Sequence, residues 1–162
     1  MLRFLPILFF CLLYAPAIPA QFLRPHEPFD SSKAQSLPLE EALIVTDDEE
    51  YQFQLEYADT DIARSIGLMH RAEIQARSGM LFDFKRDRMV GMWMRNTFIP
   101  LDMLFLSKAG AIVTIVENTI PHNERVVSSR QRVRAVLELK AGTVKRLRIK
   151  PGDQVRHAMF EE

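Results

Sequence analysis

The sequence predicts an α+β domain: a mostly antiparallel, partly closed, barrel-like sheet with two short helices. Three observations carry that expectation. In "YQFQLEYA" (51–58), Phe53, Leu55 and Tyr57 alternate with Gln52, Gln54 and Glu56, the period of a half-buried strand. "DMLFLS" (102–107) and "AIVTIVEN" (111–118) flank Lys108, Ala109 and Gly110, the layout of a β-hairpin. Helical spacing occurs in two stretches only, and both are short.

The elements follow in chain order. "EEALIVT" (40–46) is a strand, separated from the alternating strand by the solvated turn "DDEE". "DTDIARSIGLMHR" (59–71) reads as a helix. Asp59 or Thr60 caps it, and Ile62, Ile66 and Met69 recur at helical spacing. "GMLFDF" (79–84) and "RMVGMWMR" (88–95) read as two strands joined by the charged turn "KRDR". After the hairpin, "VRAVLEL" (133–139) is a further strand. "AGTVKRLRI" (141–149) is a short helix with Thr143 as a possible cap, "KPGD" is a turn, and "QVRHAMF" (154–160) is the last strand.

The first 20 residues differ from the rest. Arg3 precedes an apolar run from Phe4 to Tyr14, and small residues and prolines follow, the layout of a secretory signal peptide. The run is too short to cross a bilayer comfortably. An uncleaved anchor is the alternative, and a lipidated Cys11 a weaker one, because the small residues expected before such a cysteine are missing. Residues 21–38 mix proline, serine and charge without periodicity and read as a flexible tether. The domain then spans 39–162. Cys11 is the one cysteine, so a processed chain has neither a disulfide nor a thiol nucleophile. The chain has 162 residues, enough for one domain, and a formal net charge of zero, so no overall field recruits nucleic acid.

"GLMHR" (67–71), "GMLFDF" (79–84), "MWMRNTFIPLDMLFL" (92–106) and "VLELKAGTVKRLRIKPGD" (136–153) occur in an order and spacing that resemble the domain-of-unknown-function family numbered one-nine-two. The resemblance covers about residues 40–160, nearly the whole domain, and the "WMRNTFIPLDMLF" block is its most specific part. It implies a small, β-rich, barrel-like fold in a protein often exported or membrane-tethered. It implies no activity and no catalytic residue.

Function has to be read from the residues. "GMWMRNTFIPLD" (91–102) combines bulk with convergent polar groups, as small-molecule pockets do. The candidate ligand site is Trp93, Arg95, Asn96 and Asp102, with Arg64 and Arg71 from the first helix. Those two arginines are seven apart, so on a continuing helix they point the same way and with Asn96 suit a small anionic ligand. The competing reading is a structural corner, with Asp102 taking the charge of Arg95 or Arg64.

Six methionines lie between Met69 and Met103. Met92 and Met94 are the candidates for soft-metal binding, copper in an exported protein, against ordinary core packing. The histidines show no zinc spacing, and the chain holds no G-x-S-x-G or phosphate-loop motif, so no cofactor is expected. Residues 24–61 hold eleven acids and two bases, while residues 130–162 hold nine bases and four acids. Arg130, Arg132 and Arg134 alternate and would share one strand face, suited to an anionic envelope surface. No aromatic residues interleave with these bases, which argues against nucleic acid. The reading is an exported, non-enzymatic binding or accessory domain. A copper protein and an envelope hydrolase are the alternatives, and the oligomeric state stays open.

Overall fold

The computed structural model describes residues 26–161; the predicted leader (1–20) and the first tether residues lie outside them. Seven strands form one curled, half-barrel mixed sheet. They are β1 (Leu39–Val45), β2 (Glu50–Ala58), β3 (Ser78–Met92), β4 (Leu101–Leu106), β5 (Ile112–Val116), β6 (Val127–Lys140) and β7 (Gln154–Arg156). Their order across the sheet is β5-β4-β6-β3-β2-β1-β7. Every neighbouring pair is antiparallel except β2 and β3. That parallel pair needs a crossover, which contains the helix α1 (Asp61–Ile66).

The curl brings the two ends of the sheet together beside β5. Val155 N donates to Gly110 O at 2.9 Å, and Ile112 N donates to Asp153 O at 2.8 Å. Gly110 makes this approach possible. Its φ is +80°, and a Cβ there would sit 2.3 Å from Val155 O.

Side-chain alternation splits the core into two. Leu104, Leu106, Leu137, Leu139, Phe53 and Leu55 fill the inside of the curl. Met103, Phe105, Met80, Phe82 and Val136 face the other way, beneath Ala63 and Leu68. All six residues of β4 are buried, as expected for a strand covered on both faces. Each large side chain so buried contributes about 1.5–3 kcal/mol.

Several local expectations change. The helix over 59–71 stops at Ile66 because Gly67 adopts φ +52°, and Arg71 therefore lies outside it. Thr60 is the cap, its hydroxyl accepting from Ala63 N at 3.1 Å. The buried residue of α1 is Ala63, while Ile62 faces solvent. "KRDR" is a wide bulge within a single long strand, not a turn between two. Asp83 faces Ala135 and Arg88 faces Val133, so five steps on β3 span two on β6. The Asp83 carboxylate pins this bulge by accepting Lys85 N at 2.7 Å.

The second helix, α2 (Thr143–Leu147), has no side-chain cap from Thr143 or any neighbour in sequence. Asp102 of β4 performs that task from across the sheet, accepting Val144 N at 2.9 Å. The last predicted strand shortens to Gln154–Arg156 and gives way to a 3-10 turn over Ala158–Phe160. Residues 26–38, read as flexible tether, run along the domain. Gln35 Nε2 donates to Ala63 O and Gly67 O at 2.8 and 2.9 Å, and Leu37 N donates to Glu56 Oε2 at 2.8 Å. Among the described residues, no helix is long and apolar enough to cross a membrane.

Candidate functional site

The side of the sheet beneath α1 carries an ionisable row. Glu56 of β2, Met80 of β3, Glu138 of β6 and Met103 of β4 lie opposite one another on successive strands. Both acids are buried, but their partners differ. Glu56 takes Arg71 through Nη1–Oε1 at 2.6 Å and Nη2–Oε2 at 2.8 Å. Glu138 receives no hydrogen bond or ion pair from the described residues, and its nearest strand neighbours are the two methionines.

Glu138 lines a cleft of about 250 Å³. The residue is only 3% exposed, so it forms the floor. Phe82, Phe84 and Leu68 make apolar walls, and α1 with Gly67 closes one side. Gly67 leaves room over the Phe82 ring, where an added Cβ would lie 3.2 Å away. The mouth is set by half-exposed Trp93 and by Arg64 and Arg88. The guanidinium of Arg88 stands 5.9 Å from the centre of the Phe84 ring and has no acidic partner among the described residues.

Burial pushes the Glu138 carboxyl up to about 8. No neighbouring charge or hydrogen bond opposes that rise. At neutral pH the group is therefore mostly protonated and can donate as well as accept. A cation arriving beside it would favour the carboxylate instead. Either state suits ligand binding, and a carboxyl tuned toward neutrality also suits proton transfer.

Asp83 and Asp102, by contrast, are held by several donors each. Burial pushes Asp83 up, but hydrogen bonds from Arg134, Lys85 N, Tyr57 and Lys85 outweigh it and hold the carboxyl well below the usual range. Asp102 accepts Asn118 N at 3.0 Å as well as Val144 N. Among the described residues, no group of acids or histidines is placed to hold a metal ion.

The six predicted ligand residues do not form one site. Arg64 and Trp93 reach the Glu138 cleft. Arg64 is also a lock: its guanidinium donates to Asp59 O, Asp83 O and the Asp61 carboxylate. Arg71 is engaged by Glu56 and by Gln35 O. Asn96 is buried at φ +51°, and its carbonyl accepts His70 N at 2.9 Å. Asp102 holds α2 and takes neither Arg95 nor Arg64. Arg95 is exposed, with no hydrogen bond or ion pair to the described residues.

Met92 lines the Glu138 cleft, whereas Met94 is fully buried and lines a separate depression beside Thr119, whose hydroxyl approaches its sulfur at 3.2 Å. The two thioethers thus serve different cavities. The three arginines of the basic stripe differ in their surroundings. Arg130 sits at φ +59°, Arg132 donates to Asp87 O, and Arg134 pairs with Asp83 at 2.7 Å.

Sequence reasoning passed over Glu138 and Arg88. "VLELK" places Leu137 and Leu139 on one face, which makes Glu138 look like the solvated face. The signal that it is covered comes only from α1 and the 93–100 segment folding over that side. Arg88 was hidden in the supposed charged turn.

The sequence profile of the DUF192 family, described as Uncharacterized ACR, matches residues 43–157, and the chain belongs to that family. Two solved structures share the fold. One, from Sinorhizobium meliloti and provisionally described as a transcription regulator, is 44% identical. Its TM-score is 0.75, and the match covers 77% of this chain and 98% of that one. The other, from Novosphingobium aromaticivorans, is described as a protein of unknown function. It is 30% identical with a TM-score of 0.72, over 80% of this chain and 99% of that one. No curated protein matches the chain.

Proposed function

We propose that this member of the DUF192 family is a small-ligand-binding protein of the cell envelope, and that its site is the Glu138 cleft. One observation carries the reading: a buried carboxyl without a partner among the described residues forms the floor of an otherwise largely apolar cleft. Burying an ionisable group without a partner costs stability. A ligand that satisfies the group recovers that cost, and the cleft supplies apolar walls to hold its body. Arg88 and Arg64 at the mouth receive an anionic group on the ligand. Placement in the envelope rests on the leader-like residues 1–20 alone. A second reading, acid–base catalysis, draws on the same raised carboxyl.

Native mass spectrometry of the protein taken from the envelope fraction tests the proposal. The wild type is expected to carry extra organic mass that denaturation releases. Glu138→Gln is expected to lose it. Equal occupancy in the two proteins, or a bare wild type, would remove Glu138 as the seat of the ligand. The denatured mass reports separately whether the leader is cleaved.

A further inference from the structure

The cleft is polar at both ends and apolar between them. The floor is Glu138, which pairs with no cation among the described residues. The mouth is Arg88, which has no acidic partner among the described residues, and Arg64, which is already shared with Asp61. We infer that the cleft takes a compact, amino-acid-like zwitterion, its cationic nitrogen against Glu138 and its anionic group at Arg88 and Arg64. This rests on the Glu138 cleft being the ligand site.

Three arguments select that class. The first is the floor. A ligand with an apolar tail alone would leave the Glu138 carboxyl buried and unpaired, and a buried polar group without a partner is costly. A second carboxyl there would find no positive charge to offset its own, and any ionisation of Glu138 beside it would add like-charge repulsion. A cationic nitrogen gives the carboxyl a hydrogen-bonded counter-charge in a site where pairing is strong. The walls point the same way, since the aromatic rings of Phe82 and Trp93 suit a cation as well as an apolar body. The second argument is the mouth. The guanidinium of Arg88 lies against an aromatic face and is free for a carboxylate. Arg64 adds positive charge, although three protein acceptors hold it in place. The third is size. About 250 Å³ falls below the range of roughly 300–1,000 Å³ typical of drug-sized sites, which limits the ligand to amino-acid dimensions.

The protonation of Glu138 makes the class readable. The ionisable groups that share the cleft with Glu138 are Arg64 and Asp61 of α1 and Arg88 of β3, and none of them offsets the effect of burial; Glu56, paired with Arg71, lies two strands away on the same row. Its strand neighbours Met80 and Met103 add none. The empty site holds a proton at neutral pH, because burial has raised the group to about 8. A cationic nitrogen stabilises the carboxylate and expels that proton. Binding of the zwitterion therefore releases a proton near pH 7 and strengthens as pH rises toward 8.

Isothermal titration calorimetry on the folded protein tests this, in two buffers of different ionisation heat. The probes are apolar amino acids from alanine to phenylalanine, with matched primary amines and matched carboxylates lacking the amine. The best zwitterion is expected to bind at least tenfold tighter than its amine or its carboxylate, with proton release. Glu138→Gln should cost the zwitterion at least tenfold and leave the carboxylates unchanged. If that variant fails to fold, Arg88→Gln on the exposed side chain serves instead, weakening zwitterion and carboxylate but not amine. Carboxylates that match or beat the zwitterions, or that bind with proton uptake, would overturn the zwitterion while leaving the cleft as the site. No binding in any class would overturn both.

Discussion

Asp102 and Glu138 are buried acids on adjacent rungs of the same two strands, and they do opposite things. Asp102 faces Leu139, on the inside of the curl, and Glu138 faces Met103, beneath α1. Both oxygens of Asp102 accept backbone N–H groups, one from the turn at Asn118 and one from the start of α2. No protein donor reaches either oxygen of Glu138 among the described residues. Burial is nearly equal, at 0% and 3% exposed, so burial cannot separate them. Satisfaction does. A saturated carboxylate holds parts of the chain together, whereas an unsatisfied one beside a cleft retains binding capacity for something else.

The largest effect should come from breaking the saturated member. Asp102→Ala orphans the buried N–H of Val144, at about 1–3 kcal/mol, and frees the N–H of Asn118 in an exposed turn that water can reach. The expected loss is therefore at least about 1–3 kcal/mol in urea unfolding. Asp102→Asn keeps one acceptor and should recover part of it. Glu138→Gln removes no protein hydrogen bond and should leave stability at pH 7 unchanged or raised. If the two substitutions cost the same, the contrast between lock and site collapses.

The next effect is a slope. Burial holds the Glu138 carboxyl above its unfolded value of 4.5, at about 8. The folded state then binds more protons than the unfolded state between those values. The contribution of Glu138 to stability is complete below about pH 4.5 and is lost as pH rises through about 8. Glu138→Gln lacks this titration. The stability of the variant relative to wild type should climb with pH across that window, by at most about 1.4 kcal/mol per pH unit. A flat difference would mean that the carboxyl is solvated or already paired.

The same contrast explains what the sequence made legible. Period-two alternation revealed β2, and the Lys108–Gly110 hairpin was plain, because both depend on near neighbours. The family blocks were visible for the same reason. Partners distant in the chain were not visible. Asp102 meets Val144 across 42 residues, and no local signal announces a helix cap supplied by another strand. "KRDR" looked like a turn because charge and lack of pattern usually mean one, yet the anchors are Asp83 at one end and β6 alongside. Arg71 appeared to extend the row begun by Arg64, and one glycine conformation at position 67 ended that row. The site was half legible: Arg64 and Trp93 came from residue type, while Glu138 stayed hidden behind the alternation that makes a strand recognisable. Periodicity assigns a residue to a face but does not say what covers that face.

The smallest expected effect concerns the 91–102 stretch. Arg95 follows Trp93 and Met94 in a segment whose residue types suggest a ligand notch. Its side chain is exposed, takes no part in the cleft, and exerts only an electrostatic influence on Glu27. Arg95→Ala should shift stability by less than about 0.5 kcal/mol, as surface substitutions away from locks do. It should also leave the ligand mass carried by the wild-type protein unchanged. Thermal melts and native mass spectrometry on this one variant read both. A loss of bound mass at unchanged stability would move the ligand seat from the Glu138 floor to the outer face of residues 93–96. The unsatisfied carboxyl would then be a tolerated cost of the fold, and the polar residues of the segment, not their burial, would have been the better guide to the site.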